Sequence, residues 1–146
     1  MLLKACRFHN SLGYVQNEAK LSDLRFGWRV RMAFSEFELK RIEKLAQHFV
    51  EANRPPVHIR AQLDLGFRIT GQSLELFDIR PNWRNPNEIN ELPFAKTTYV
   101  KKSNSWKIFW MRQDLKWHRY APDPEVPRLE DFFAVVAEDA NACFRG

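Results

Sequence analysis

The sequence predicts an α+β fold, in which an N-terminal helix, an antiparallel meander of about four to five strands and a C-terminal helix follow one another. Three observations predict it. A capping box formed by Ser35 and Glu38 opens a run with helical spacing. From residue 63 to residue 120 apolar and polar residues alternate between turn-forming pairs. Leu129, Phe132, Phe133 and Val136 then return to helical spacing.

Ahead of these elements, residues 1–31 carry scattered Asn, Ser, Gly and Arg and no sustained periodicity. They read as a basic N-terminal extension, poorly ordered or loosely docked, with residues 32–146 forming the single folded domain. Met32 opens the regular part and reads as an alternative start of translation.

The first helix is expected over residues 36–52. Phe37, Leu39, Ile42, Leu45, Ala46, Phe49 and Val50 supply its apolar face, and Pro55-Pro56 stops it. A hairpin follows. Leu63, Leu65, Phe67 and Ile69 alternate with Asp64, Gly66, Arg68 and Thr70, and Gly71-Gln72 fits a two-residue turn with Gly first. That register sets Ile69 opposite Leu74, Phe67 opposite Leu76 and Arg68 opposite Glu75, with Phe77 over the bare backbone of Gly66.

Arg80-Pro81-Asn82-Trp83-Arg84-Asn85-Pro86 has loop chemistry, and the irregular stretch is expected to reach Pro93. Trp83 with Arg80 and Arg84 is a candidate contact site. The commoner arrangement for such a Trp is a lid folded back over the sheet.

Lys96 to Lys102 reads as a strand, turned at Ser103-Asn104 so that Lys101 faces Trp106 and Tyr99 faces Ile108. The stretch from Trp106 to Tyr120 then gives one or two more strands around a turn near Gln113-Asp114-Leu115. Trp106, Ile108, Trp110 and Arg112 point one way, and Lys107, Phe109 and Met111 the other. Large apolar groups on both faces suit a central strand. Residues 121–127, with three prolines, break the sheet before the last helix near 128–138, and Phe144 is expected to tuck back onto the core.

Several of these stretches together resemble a small bacterial family known as a domain of unknown function (DUF3024). They are Arg54-Pro55-Pro56, Gly71-Gln72-Ser73, Arg80 to Trp83, Lys96 to Val100 and above all Trp106 to Tyr120. The ending, Asp139 followed by Cys143-Phe144 and then Gly146, is similar too, although an aromatic usually stands at the place of Arg145. The resemblance covers residues 32–146 and implies no activity.

Composition bounds the function. The chain has 146 residues, 45% hydrophobic and 28% charged, an ordinary balance for a soluble domain. No run is long enough for a membrane span, and a cytoplasmic location is the default. Only Cys6 and Cys143 are present, without ligand spacing, so they read as free thiols. No metal site, phosphate loop or nucleophile elbow is evident, and no cofactor is expected.

The net charge of +5 is unevenly spread. Residues 96–119 hold seven Lys/Arg against Asp114 alone, whereas residues 121–146 hold six acids against two Arg. Basic groups interleaved with rings can stack bases and neutralise phosphates. The candidate nucleic-acid- or partner-binding residues are therefore Arg80, Trp83, Arg84, Lys96, Lys101, Lys107, Trp110, Arg112, Lys116, Trp117, His118 and Arg119. Lys102 and Trp106 add to the same composition. The rival is that the Trp residues are core and the Lys residues solvate the strands.

A protein-interaction or self-associating module is the alternative function, because Trp, Tyr and Arg also dominate protein contacts and the charge is polarised. The second alternative is a metal-independent ribonuclease-like enzyme, with His118 moving a proton and Arg112 and Tyr120 as weaker candidates. No second His or paired carboxylate accompanies them. A non-enzymatic binding domain is the expectation.

Overall fold

The structure is a computed structural model in which residues 34–145 are described; the expectations for residues 1–31 and for a start at Met32 lie outside them. Helix α1 (Glu36–Asn53) begins where the capping box requires. The Ser35 hydroxyl accepts from the Glu38 N–H, and the Glu38 carboxylate accepts from the Ser35 N–H in return. Two initial N–H groups are thereby satisfied, and Arg54 ends the helix in extended conformation ahead of Pro55.

Ile42, Ala46, Phe49 and Val50 are the buried side of α1. Phe37 is not part of it, being 82% exposed. At about 100° per residue it lies about 140° around the helix from Ile42, outside the stripe.

Five strands form a meander: β1 (Asp64–Thr70), β2 (Ser73–Pro81), β3 (Ile89–Val100), β4 (Ser105–Met111) and β5 (Trp117–Arg119). All neighbours are antiparallel. The sheet has a sixth strand, β6 (Glu125–Val126), which pairs with β4 beside β5, so the proline-rich stretch interrupts the sheet without ending it. Helix α2 (Leu129–Glu138) closes the fold.

The β1–β2 register is as expected. Gly71 sits at φ 59°, where its missing side chain is needed, and Ile69 faces Leu74, Phe67 faces Leu76 and Gly66 faces Phe77. A Cβ on Gly66 would come within 2.6 Å of the Phe77 ring, so the ring does occupy that bare backbone.

Two expectations need correction. β3 starts at Ile89, because residues 79–81 and 89–91 pair as a ribbon where an irregular stretch was expected. The β3–β4 register also differs: Tyr99 faces Trp106 and Thr97 faces Ile108. Asn104, at φ 49°, closes a longer turn over residues 101–104. The slip is two residues, which leaves every side chain on its expected face.

Both helices pack on one face of the sheet. Leu65, Phe67, Leu74, Leu76, Ala95, Trp106, Ile108 and Tyr120 meet Ile42, Phe49, Phe132, Phe133 and Val136 in a single buried cluster. Phe34 joins it, its ring stacked 5.8 Å from that of Trp106. Phe144 returns to the core as expected, with its ring 4.9 Å from that of Tyr120. The turn that brings it there is held by Asp139, whose carboxylate accepts from the N–H groups of Cys143, Phe144 and Arg145.

A bulge breaks the alternation of β3. Leu76 pairs with Ala95, but the next residue, Phe77, pairs with Pro93. Phe94 is the extra residue, so Phe94 and its neighbour Ala95 both join the core. Pro93 has no N–H to donate, and a bulge is one of the few places in a sheet that tolerates it.

Candidate nucleic-acid interface

The face of the sheet away from the helices is built by strand parity. Beginning with β1 it carries Gly66 and Arg68, then Glu75, Phe77 and Ile79 from β2. β3 adds Pro93, Lys96 and Thr98, and β4 adds Lys107, Phe109 and Met111. Trp117 and Arg119 follow from β5, and Glu125 from β6. Among the described residues, no helix packs on this side.

Rows cross the strands. Phe77 pairs with Pro93 and Met111 with Trp117 in two apolar pairs, and Arg68, Glu75, Lys96, Phe109 and Arg119 form a mixed row. Phe109, Met111 and Trp117 are half-buried, their rings and thioether partly open at the surface. The Lys96 ammonium lies 5.4 Å from the centre of the Trp117 ring and 3.4 Å from Glu75. The Arg68 guanidinium lies 5.0 Å over the Phe77 ring and pairs with Glu91.

Arg119 reaches Glu125 at 3.8 Å. Hydrogen bonds from the Ser105 and then the Ser103 hydroxyl hold the Glu125 carboxyl below its ordinary range, against a smaller effect of burial, and the charges of Lys107 and Arg119 add to this. Lys107 itself has no carboxylate within ion-pair distance among the described residues.

The sequence candidates do not all gather in one place. Lys96, Lys107, Trp117 and Arg119 share the open face, joined there by Phe109 and Met111, which strand alternation puts on that side of β4 and which are not among the sequence candidates. Arg112, Lys116 and His118 gather at the β4–β5 loop. Trp110 lies on the helix side of β4, packed against the core with the Arg112 guanidinium 5.5 Å from its ring centre. Arg80, Trp83 and Arg84 stand at the end of the β2–β3 ribbon. Lys101 and Lys102 are exposed in the β3–β4 turn. Trp106 is buried, in agreement with the core reading for that residue alone.

The lid expected for Trp83 is not formed. Its ring is 82% exposed, with the Arg84 guanidinium 4.6 Å above it. Asn82, Asn85 and Glu88 hold the loop. The Asn82 N–H donates to the Glu88 carbonyl, the Glu88 N–H to the Asn85 carbonyl, and both Asn amides donate to the Glu88 carboxylate. The Arg84 N–H donates to the Asn82 side chain. These bonds close the loop across its base and leave the indole outside.

The β4–β5 loop places His118 Nε2 2.8 Å from Asp114 Oδ2. Foremost through this bond, and with the Lys116 N–H and the charges of His118 and Arg112, the Asp114 carboxyl lies below its ordinary range despite some desolvation. Tyr120 is not part of this group. It is buried, and its hydroxyl accepts from the Asn141 amide at 2.9 Å. The trio His118, Arg112 and Tyr120 is therefore not assembled around one reacting centre. No group of three or more His, Cys, Asp or Glu suited to a metal is gathered among the described residues, and no described helix is long and apolar enough to cross a membrane.

Sequence reading missed the Arg54–Asp64 pair, whose side chains are both almost fully buried. The guanidinium meets the carboxylate through two bonds of 2.9 and 2.6 Å. Burial raises the Asp64 carboxyl; the Arg54 bonds, the Leu65 N–H and the charges of Arg54 and Arg60 outweigh it and leave the group below its ordinary value. The pair ties the end of α1 to the start of β1 and is structural.

Against known proteins, the family model described as "Domain of unknown function (DUF3024)" matches residues 34–146. No curated protein matches, and no solved structure does.

Proposed function

The chain belongs to the DUF3024 family, and on the geometry of its own residues we propose that it is a small non-enzymatic domain that binds nucleic acid on the open face of its sheet. One observation carries the reading: Phe109, Met111 and Trp117 lie half-open among Lys96, Lys107 and Arg119 on the side that no described helix covers. Flat rings accept bases, and the cations beside them meet phosphates. The free thiol of Cys143 is in keeping with a reducing compartment, and we place the protein in the cytoplasm.

Oligonucleotide titrations at several salt concentrations test the reading. Lys107→Glu is expected to weaken binding and to lower the salt slope by roughly 0.7–0.9 per lost phosphate contact, with the melting temperature unchanged. Trp117→Ala is expected to cost roughly 1–3 kcal/mol of binding. Affinity no better than for heparin at matched salt, or a Lys107→Glu protein that binds normally, sinks the proposal.

A protein partner is the second reading, and the ion pairs favour it. Arg68, Lys96 and Arg119 each already face a carboxylate, so the open face is closer to neutral than the run of cations in the sequence suggests.

A further inference from the structure

Resting on that reading, we infer that the nucleic acid is single-stranded and that it runs from Trp117 along the β2–β3 ribbon to a second stacking contact at Trp83. The open face continues toward the ribbon's end. Past the Phe77–Pro93 pair it carries Ile79 opposite Glu91 and then Pro81 opposite Ile89. Ile89 is 59% exposed, so apolar surface lines this path. Trp117 and Pro93 are separated by two strand spacings, about 10 Å, and Pro93 and Ile89 by about 13 Å along β3. A strand crossing both fits within the roughly 4–16 nucleotides that single-strand-binding folds occupy.

The end of the ribbon is built for presentation. Hydrogen bonds among Asn82, Asn85 and Glu88 order the loop before any partner arrives, so little ordering cost remains for binding. The product of that order is one solvated indole. Arg84 covers a face of it and supplies a charge one residue away. A ring for a base and a guanidinium for a phosphate thus stand side by side.

Duplex fits this path poorly. Its bases are stacked on one another and unavailable to two rings in a sheet-and-ribbon surface, whereas a single strand turns its bases outward at little cost.

The test is a deoxythymidine series of about 3 to about 12 nucleotides, read by anisotropy, against wild type, Trp83→Ala, Trp83→Phe and Lys107→Glu. Affinity of the wild type is expected to rise with length until both contacts are spanned. Trp83→Ala is expected to remove that rise, lowering affinity for the longest oligomer roughly 5- to 150-fold while leaving the shortest unaffected. Trp83→Phe is expected to keep most of it. Because Trp83 is exposed, the variants should melt as the wild type does.

Binding that Lys107→Glu weakens but Trp83→Ala leaves unaltered at every length overturns this inference and spares the sheet-face proposal. A duplex of equal length binding as tightly overturns it as well. If no oligomer binds and Trp83→Ala instead abolishes self-association in sedimentation, the ribbon is a protein contact and both proposals fall.

Discussion

At the residue scale the most consequential pair for stability is a buried one. Arg54 and Asp64 leave water together and satisfy each other through two hydrogen bonds. Asp64→Ala takes two hydrogen bonds from a buried guanidinium and leaves it Glu51 at 4.0 Å, so it is expected to cost roughly 3–5 kcal/mol in denaturant unfolding. Replacing both with apolar residues of similar volume should cost much less. The pH dependence follows from the depressed carboxyl. Its stabilisation is complete well above the ordinary aspartate value of 3.8 and fades as pH falls below it toward the lower folded value. In Asp64→Asn that part of the acid sensitivity should disappear, and an unchanged acid limb would contradict the assignment. The pair was illegible in the sequence because Asp64 occupies a polar place in an alternating strand, where the default is solvent. Strand parity separates Trp110 from Phe109 and Met111, but parity does not say which side is covered, and Trp83 lies outside any strand.

At the element scale the strands were more legible than their joins. A glycine at the required place and an apolar pattern on both sides fixed the β1–β2 hairpin, whereas Ser103-Asn104 did not disclose that the turn also takes in Lys101 and Lys102. The β2–β3 ribbon was hidden for a different reason. Pro81, Pro86 and Pro93 read as loop signals, yet Pro81 ends a strand and Pro93 sits at a bulge. The C-terminal turn depends on one side chain. Asp139→Ala removes the acceptor for three N–H groups and should loosen Phe144 from Tyr120, at roughly 1–3 kcal/mol. Hydrogen exchange should quicken at residues 143–145 well before the strands respond. Unchanged protection there would show that packing alone holds the tail.

For the molecule as a whole, the order helix, meander, helix was legible because each element repeats its own period. Which sheet face the helices cover was not, since β4 offers large apolar groups on both. The Trp residues of the folded domain report the outcome. Trp106→Ala should cost roughly 3–5 kcal/mol of stability, as expected for a buried ring, while Trp83→Ala and Trp117→Ala should leave the unfolding midpoint within about 1 kcal/mol of wild type. Equal losses at all three would mean that the open face is interior. The split edge formed by β5 and β6 has a consequence wherever other chains crowd close. Exposed strand edges invite other chains to add on, and long, flat ones seed fibres. Beside β4 this protein offers only three paired residues, then a detour through Pro122 and Pro124, then two more. An incoming strand meets no straight ladder there, so that side of the sheet is protected from templating aggregation by the same prolines that interrupt it.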